Sequence, residues 1–216
     1  MNTKVQYFAP EEVWRGGFYE IEMELGVPSD ERLSLVLEKV WSHKSLEGCY
    51  LDRSQEPHAQ TPVDPREHAH EGHLYGIAHL PNGVHCACGT YVCRLESGAD
   101  TPSCDFVAFY LPLGSIATAY PIGGYPFTDT KQAGAWRTVL DNWLVELGHF
   151  VYKQTRFELA LVGFEVDFPT VSSTVVRRNG IPSERYDGYL WPVDSRLEWY
   201  PPTNWNIIRL HSGDSS

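Results

Sequence analysis

No stretch of this chain approaches the roughly 20 apolar residues needed to cross a bilayer, and its first residues, MNTKVQYFAPEEVWRGG, hold no apolar core of a secretory signal. The expectation is a cytoplasmic protein with no membrane contact. Positive charge is scarce as well: 17 Lys and Arg stand against 28 Asp and Glu, and the net charge is −11. The longest basic cluster is the pair Arg177-Arg178, so the average surface repels a phosphate backbone and direct nucleic-acid binding is not expected. Cysteines number five, an odd count with no C-x-x-C spacing, which fits free thiols in a reducing compartment better than a disulfide framework. A Ser-centred nucleophile elbow, a phosphate loop and a paired-carboxylate spacing are all missing. No cofactor is expected, and no catalytic residue declares itself.

What the chain does have is apolar and aromatic content. At 216 residues, 42% hydrophobic and 13% aromatic, it is long enough to bury roughly 70% of its unfolded surface, and one domain over 1–216 is the simplest organisation. Phe18 to Leu25 alternates, with Tyr19, Ile21, Met23 and Leu25 on one face and Phe18, Glu20, Glu22 and Glu24 on the other, the pattern of a half-buried strand with a solvated acidic row. Ser29 or Asp30 caps a helix whose Leu33, Val36, Leu37, Val40 and Trp41 recur at helical spacing. A short strand at Cys49 to Leu51 precedes a polar surface loop at 53–72. Cys104 to Leu113, apolar nearly throughout, reads as a central strand, and Gly114 to Ile122 as an alternating one. A second helix places Trp136, Val139, Leu140, Trp143, Leu144 and Leu147 on one face and stops at Gly148 as its C′ residue. The strand Phe157 to Phe168 follows, 171–187 reads as loop, and short strands fall at Gly188 to Pro192 and Leu197 to Tyr200. The order strand, helix, strand thus occurs twice, at 18–50 and again from 113 on.

The second occurrence resembles the GyrI-like (SOUL/GyrI-like) small-molecule-binding domains. The matching residues are Pro112-Leu113-Gly114-x-Ile116-Ala117, the Gly123-Gly124-Tyr125 turn, the helix of spaced tryptophans ending Glu146-Leu147-Gly148, and Phe157-Glu158 opening the next strand. The resemblance implies an α+β fold: a tandem βαββ repeat forming one curved antiparallel sheet, with two main helices on one face. Its halves would be about 14–111, carrying the inserted loop, and about 112–205. The resemblance also implies a cleft between the halves that takes amphipathic, often cationic, organic molecules through aromatic rings and a buried acid. Glu158 matches the family's acidic strand residue, with Glu165 as the alternative on the same strand. The inserted loop departs from the family pattern, as does a domain that opens at residue 18 with no DNA-binding helix-turn-helix before it.

The rings expected to line such a cleft are Tyr110, Tyr120, Tyr125, Tyr189 and Trp191, whereas the seven-residue spacing of Trp136 and Trp143 fits core packing on the sheet-facing stripe. A carboxylate among rings attracts an organic cation by its charge and through the ring faces. The same carboxylate, if dry, would serve a hydrolase as general acid or base, so catalysis through Glu158 is one alternative. The other is an acidic interaction or immunity-type protein that presents Glu20, Glu22 and Glu24 to a basic partner. The ligand expected is a small molecule, and homodimerisation is left open.

His58 to Cys93 holds six histidines and three cysteines. Pro81-Asn82-Gly83 favours a type I turn with Gly83 in the left-handed bulge position, which pairs Leu80 with Val84 and His79 with His85. That register gathers Leu74, Ala78, Leu80, Val84, Cys86, Cys88 and Val92 on one face, so the cysteines read as core and the two histidines as an exposed cross-strand pair. A metal held by His79 and His85 with His68 or His70 is the alternative reading of the same residues.

Overall fold

Tyr19, Ile21, Met23 and Leu25 alternate with acidic residues along β1 (Phe18–Gly26), and this period of two sets the layers of the molecule. The computed structural model describes residues 7–70, 72–97, 103–122, 130–166 and 171–204, with backbone alone at 130–133. After β1 come α1 (Asp30–Trp41), β2 (Leu46–Tyr50), β3 (His73–His79), β4 (His85–Leu95), β5 (Cys104–Pro112), α2 (Leu113–Ile116), α3 (Thr130–Gln154), β6 (Leu159–Phe164), α4 (Ser173–Asn179), β7 (Gly188–Val193) and β8 (Arg196–Tyr200). The fold is α+β. Its strands form one curved, open, antiparallel sheet in the order β2-β3-β4-β5-β1-β6-β7-β8. No helix among the described residues is long and apolar enough to cross a membrane.

α1 begins where the Ser29 hydroxyl accepts the Arg32 N–H at 3.3 Å, with Asp30 and Glu31 in its first turn to meet the helix dipole. Its buried residues Leu33, Val36, Leu37, Val40 and Trp41 pack with Trp136, Leu140, Trp143, Leu144, Leu147 and Val151 of α3 over Tyr19, Ile21 and Met23 of β1 and Val107, Phe109 and Leu111 of β5. This layer is the main core, and each large side chain in it contributes about 1.5–3 kcal/mol. Trp136 and Trp143 are core residues, as their spacing suggests.

The β3–β4 hairpin follows the expected register. His79 pairs with His85, the Leu80 N–H donates to Val84 O at 2.9 Å, and Gly83 takes φ +79°. Leu74, Ala78, Leu80, Cys86 and Cys88 all enter the main core, and all five cysteines are free thiols.

Four expectations are corrected. Gly114 to Ile122 is not a strand: Ala117 N–H returns to Leu113 O at 2.8 Å and Tyr120 N–H to Ile116 O at 2.9 Å, so the chain leaves the sheet in a helical turn. Gly114 marks the reason, since a β-carbon there would lie 1.8 Å from Glu12 O, where the N-terminal turn crosses. Next, α3 does not stop at Gly148 but runs to Gln154. A β-carbon at 148 would sit 2.6 Å from Leu190 Cδ1 and 2.9 Å from Ile21 Cδ1, so this glycine allows close approach to the sheet and does not end the helix. The segment 171–187 includes α4, capped by the Ser172 hydroxyl accepting Val175 N–H at 3.4 Å. Finally, the acidic row of β1 is not solvated: Glu20, Glu22 and Glu24 are 3%, 5% and 5% exposed.

The strand after each long helix is placed differently in the two halves. β2 forms one edge of the sheet, while β6 lies beside the central β1.

Candidate functional site

The second face of the sheet carries no long helix, and two small apolar clusters divide it. Phe8, Val13, Tyr50, Ile77 and Ala87 form one under the N-terminal turn; Leu159, Leu161, Val166, Val176 and Tyr189 form the other under α4. Between them run the three carboxylates of β1. Register places Tyr110, Ala108 and Phe106 of β5 beside Glu20, Glu22 and Glu24, and Gly163, Leu161 and Leu159 of β6 on the other side. Alternating carboxylates on one strand face stand roughly 6.7 Å apart. Three in a row, all buried, is a costly arrangement.

Their environments differ. Glu20 Oε1 accepts the Val166 N–H at 3.0 Å, while Oε2 is buried with no hydrogen-bond partner among the described residues. Burial first, then the charge of Glu22, pushes the Glu20 carboxyl up to about 8. Glu24 accepts both the N–H and the hydroxyl of Ser173 at 2.6 Å. Burial still raises its carboxyl, against those two donors, and Glu158 adds to the rise.

The row ends in a cleft of about 350 Å³ between the end of β1, the start of β5 and α4. Glu24 lies on its lining, with Val27, Leu95, Phe106 and Val175 as apolar wall and Glu158, Arg177 and Arg178 as charged wall. Glu158 forms an ion pair with Arg177, whose guanidinium lies 5.8 Å over the Trp191 ring. Cys104 lines the same cleft, but burial pushes its thiol up to about 12, so it is a poor nucleophile there.

Of the residues expected from sequence, Glu158 lines this cleft, while Trp191 lies outside its lining, beneath the Arg177 guanidinium. Tyr189 is buried in the neighbouring cluster. Tyr110 lies farther along the row, where its hydroxyl and His73 Nδ1 share a 2.9 Å hydrogen bond and its ring lies against that of Phe18 at 4.5 Å. Glu165 is exposed at φ +42° just past β6. Tyr120 borders the main core on the opposite face, and Tyr125 lies outside the described residues. Glu158 is only half buried and already neutralised by Arg177, so the dry carboxylate of the site is Glu24. The sequence pattern contains Glu24, but alternation alone reads it as outward. Ser173 and Arg177 fall in a stretch that reads as loop.

Of the candidate metal ligands, the cross-strand pair lies apart from His70. His79 stacks on His85 at 4.1 Å and bonds Glu47 at 3.0 Å, whereas His70 faces Asp30 of the α1 first turn at 3.8 Å. Among the described residues, no group of three or more His, Cys, Asp or Glu is arranged to hold a metal ion.

Comparison of the chain with family models, with curated proteins and with solved structures finds no match in any of the three.

Proposed function

We propose that the protein binds a small amphipathic molecule carrying a cationic nitrogen, in the cleft between the end of β1 and α4, with Glu24 as the carboxylate that receives it. One observation carries this reading: a carboxylate 5% exposed opens onto a cleft large enough for a ligand. A cation in the cleft would favour the charged form of the Glu24 carboxylate, which burial alone disfavours. The apolar wall of Val27, Leu95, Phe106 and Val175 would cover the body of the ligand. The resemblance to GyrI-like domains supports the same ligand class. Free thiols support a cytoplasmic setting.

The test is a thermal-shift and calorimetric series with benzyltrimethylammonium, phenethylamine and the anionic control phenylacetate. The two cations should stabilise the wild type and phenylacetate should not. Glu24→Gln should weaken cation binding about tenfold or more, equivalent to about 1.4 kcal/mol, and Glu158→Gln should do less. Cation stabilisation that survives Glu24→Gln, or no stabilisation by either cation, would overturn the assignment.

A further inference from the structure

On the helix-bearing side of the sheet, away from the Glu24 cleft, the end of α1 and the C-terminal part of α3 enclose a pocket of about 330 Å³. Its charge runs against the rest of the molecule. In a chain of net charge −11, this pocket gathers His43, Lys44, His149 and Lys153 around a single carboxylate, Glu146. Glu146, His149, Phe150 and Lys153 recur at i, i+3, i+4 and i+7 on α3, so one stripe of that helix faces the pocket.

His43 is 3% exposed yet lines the pocket. Its Nδ1 accepts the Ser45 N–H at 3.4 Å, which leaves the ring proton on Nε2. Among the described residues that Nε2–H has no acceptor. The ring is held edge-on to Phe150 at 5.0 Å. Lys44 Nζ lies 3.2 Å from Glu146 Oε1, with both side chains largely exposed, so this contact is a weak, solvated one that a stronger acceptor can replace.

We propose that this pocket binds a small doubly charged oxyanion, a phosphate group held by His43, Lys44, His149 and Lys153 against Phe150. His43 donates from Nε2 and the two lysines supply point charges, the donor set that phosphate oxygens take. In the protein alone, burial holds the His43 imidazole below its usual range, with Glu146 opposing and Lys44 adding to the effect of burial. Burial and Lys153 lower His149 in the same way. A bound dianion reverses the sign of the local field, so binding draws protons onto these rings and strengthens as pH falls.

Sulfate is the probe for the pH series, because it stays doubly charged across the range and any pH dependence then belongs to the protein. Calorimetry should show saturable sulfate binding near pH 5.5 that weakens about fivefold or more by about pH 8, with proton uptake seen as a buffer-dependent heat. The Lys44→Gln/Lys153→Gln double variant changes only exposed side chains and should lose about tenfold in affinity. His43→Asn should flatten the pH dependence, and His149→Gln, at a half-buried site, provides the same readout if the His43 variant does not fold. Inorganic phosphate and phenyl phosphate are compared in parallel. Tighter binding of phenyl phosphate assigns the site to an organic phosphate stacked on Phe150, and equal binding assigns it to the free anion. Absence of saturable sulfate or phosphate binding at low pH, or full affinity in the double lysine variant, overturns the proposal.

Discussion

Glu24 on the central strand accepts two hydrogen bonds from Ser173 at the start of α4, one from the N–H and one from the hydroxyl, each 2.6 Å long. The two residues are 149 positions apart in the chain, and their contact is what places α4 over the second face of the sheet. It also keeps a carboxylate dry at the edge of a cleft.

Ser173→Ala removes the hydroxyl donor and leaves the N–H. A buried carboxylate that loses one donor should cost about 1–3 kcal/mol, and the Glu24 carboxyl should rise further because the lost bond favours its charged form. Urea unfolding at neutral pH measures the cost. A change below about 0.5 kcal/mol would mean that water replaces the hydroxyl at no penalty.

Glu20 makes a prediction about pH. Its carboxyl holds its proton up to about 8 in the folded protein against 4.5 as the ordinary value, so the folded state binds the proton more tightly. Its contribution to stability is then complete below about pH 4.5 and is lost as pH rises to about 8, by up to about 1.4 kcal/mol per pH unit. Asp141, pushed up to about 7 chiefly by burial, slopes the same way. The measurement is the difference in urea midpoint between wild type and Glu20→Gln across this window. A difference that does not change with pH would show that Glu20 is ionised in the fold at no cost.

Two glycines of α3 should respond in opposite directions. Gly148→Val places side-chain atoms against Leu190 and Ile21 and should cost about 1–3 kcal/mol from overpacking. A β-carbon at Gly134 would meet nothing within 4 Å among the described residues, so Gly134→Ala should gain up to about 1 kcal/mol from helix propensity. Thermal unfolding of the two variants reads both signs.

The thiols should label in order of access. Cys49, Cys86, Cys88 and Cys104 are buried and Cys93 is only partly so. Burial raises every one of them, with Cys49 pushed up to about 12 and Cys86 to about 11. Brief alkylation of the native protein should modify Cys93 first, with the other four reacting only after denaturation. Peptide mass spectrometry gives the order, and early modification of Cys88 would show that the β3–β4 hairpin opens in solution.

Local chemistry carries much of the fold. The hairpin register is legible because Pro81 and Gly83 prescribe a turn type and the resulting pairing segregates apolar residues. The α1 stripe is legible because five apolar residues recur on one face behind a serine cap. Gly114 to Ile122 misleads because Ile116, Tyr120 and Ile122 fall on one parity over a stretch too short to show that Leu113, Ile116 and Tyr120 also satisfy a helical spacing. Gly148 misleads because a glycine late in a helix marks an end as readily as a close contact, and only the position of Leu190 tells them apart.

The sequence by itself determined the apolar stripe of α1, the core face of β1 and the register of the β3–β4 hairpin, because turn chemistry, capping and periodicity act over a few neighbouring residues. Tertiary structure alone decided where the carboxylates go. Alternation along β1 places Glu20, Glu22 and Glu24 opposite the core face, and that face reads as solvated by default. Its burial depends on groups distant in the chain, Val166 at Glu20 and Ser173 of α4 at Glu24. Desolvation is a property of everything packed around a group, so no local pattern could reveal that the acidic row is dry, or that Glu24, and not Glu158, is the buried carboxylate facing the cleft.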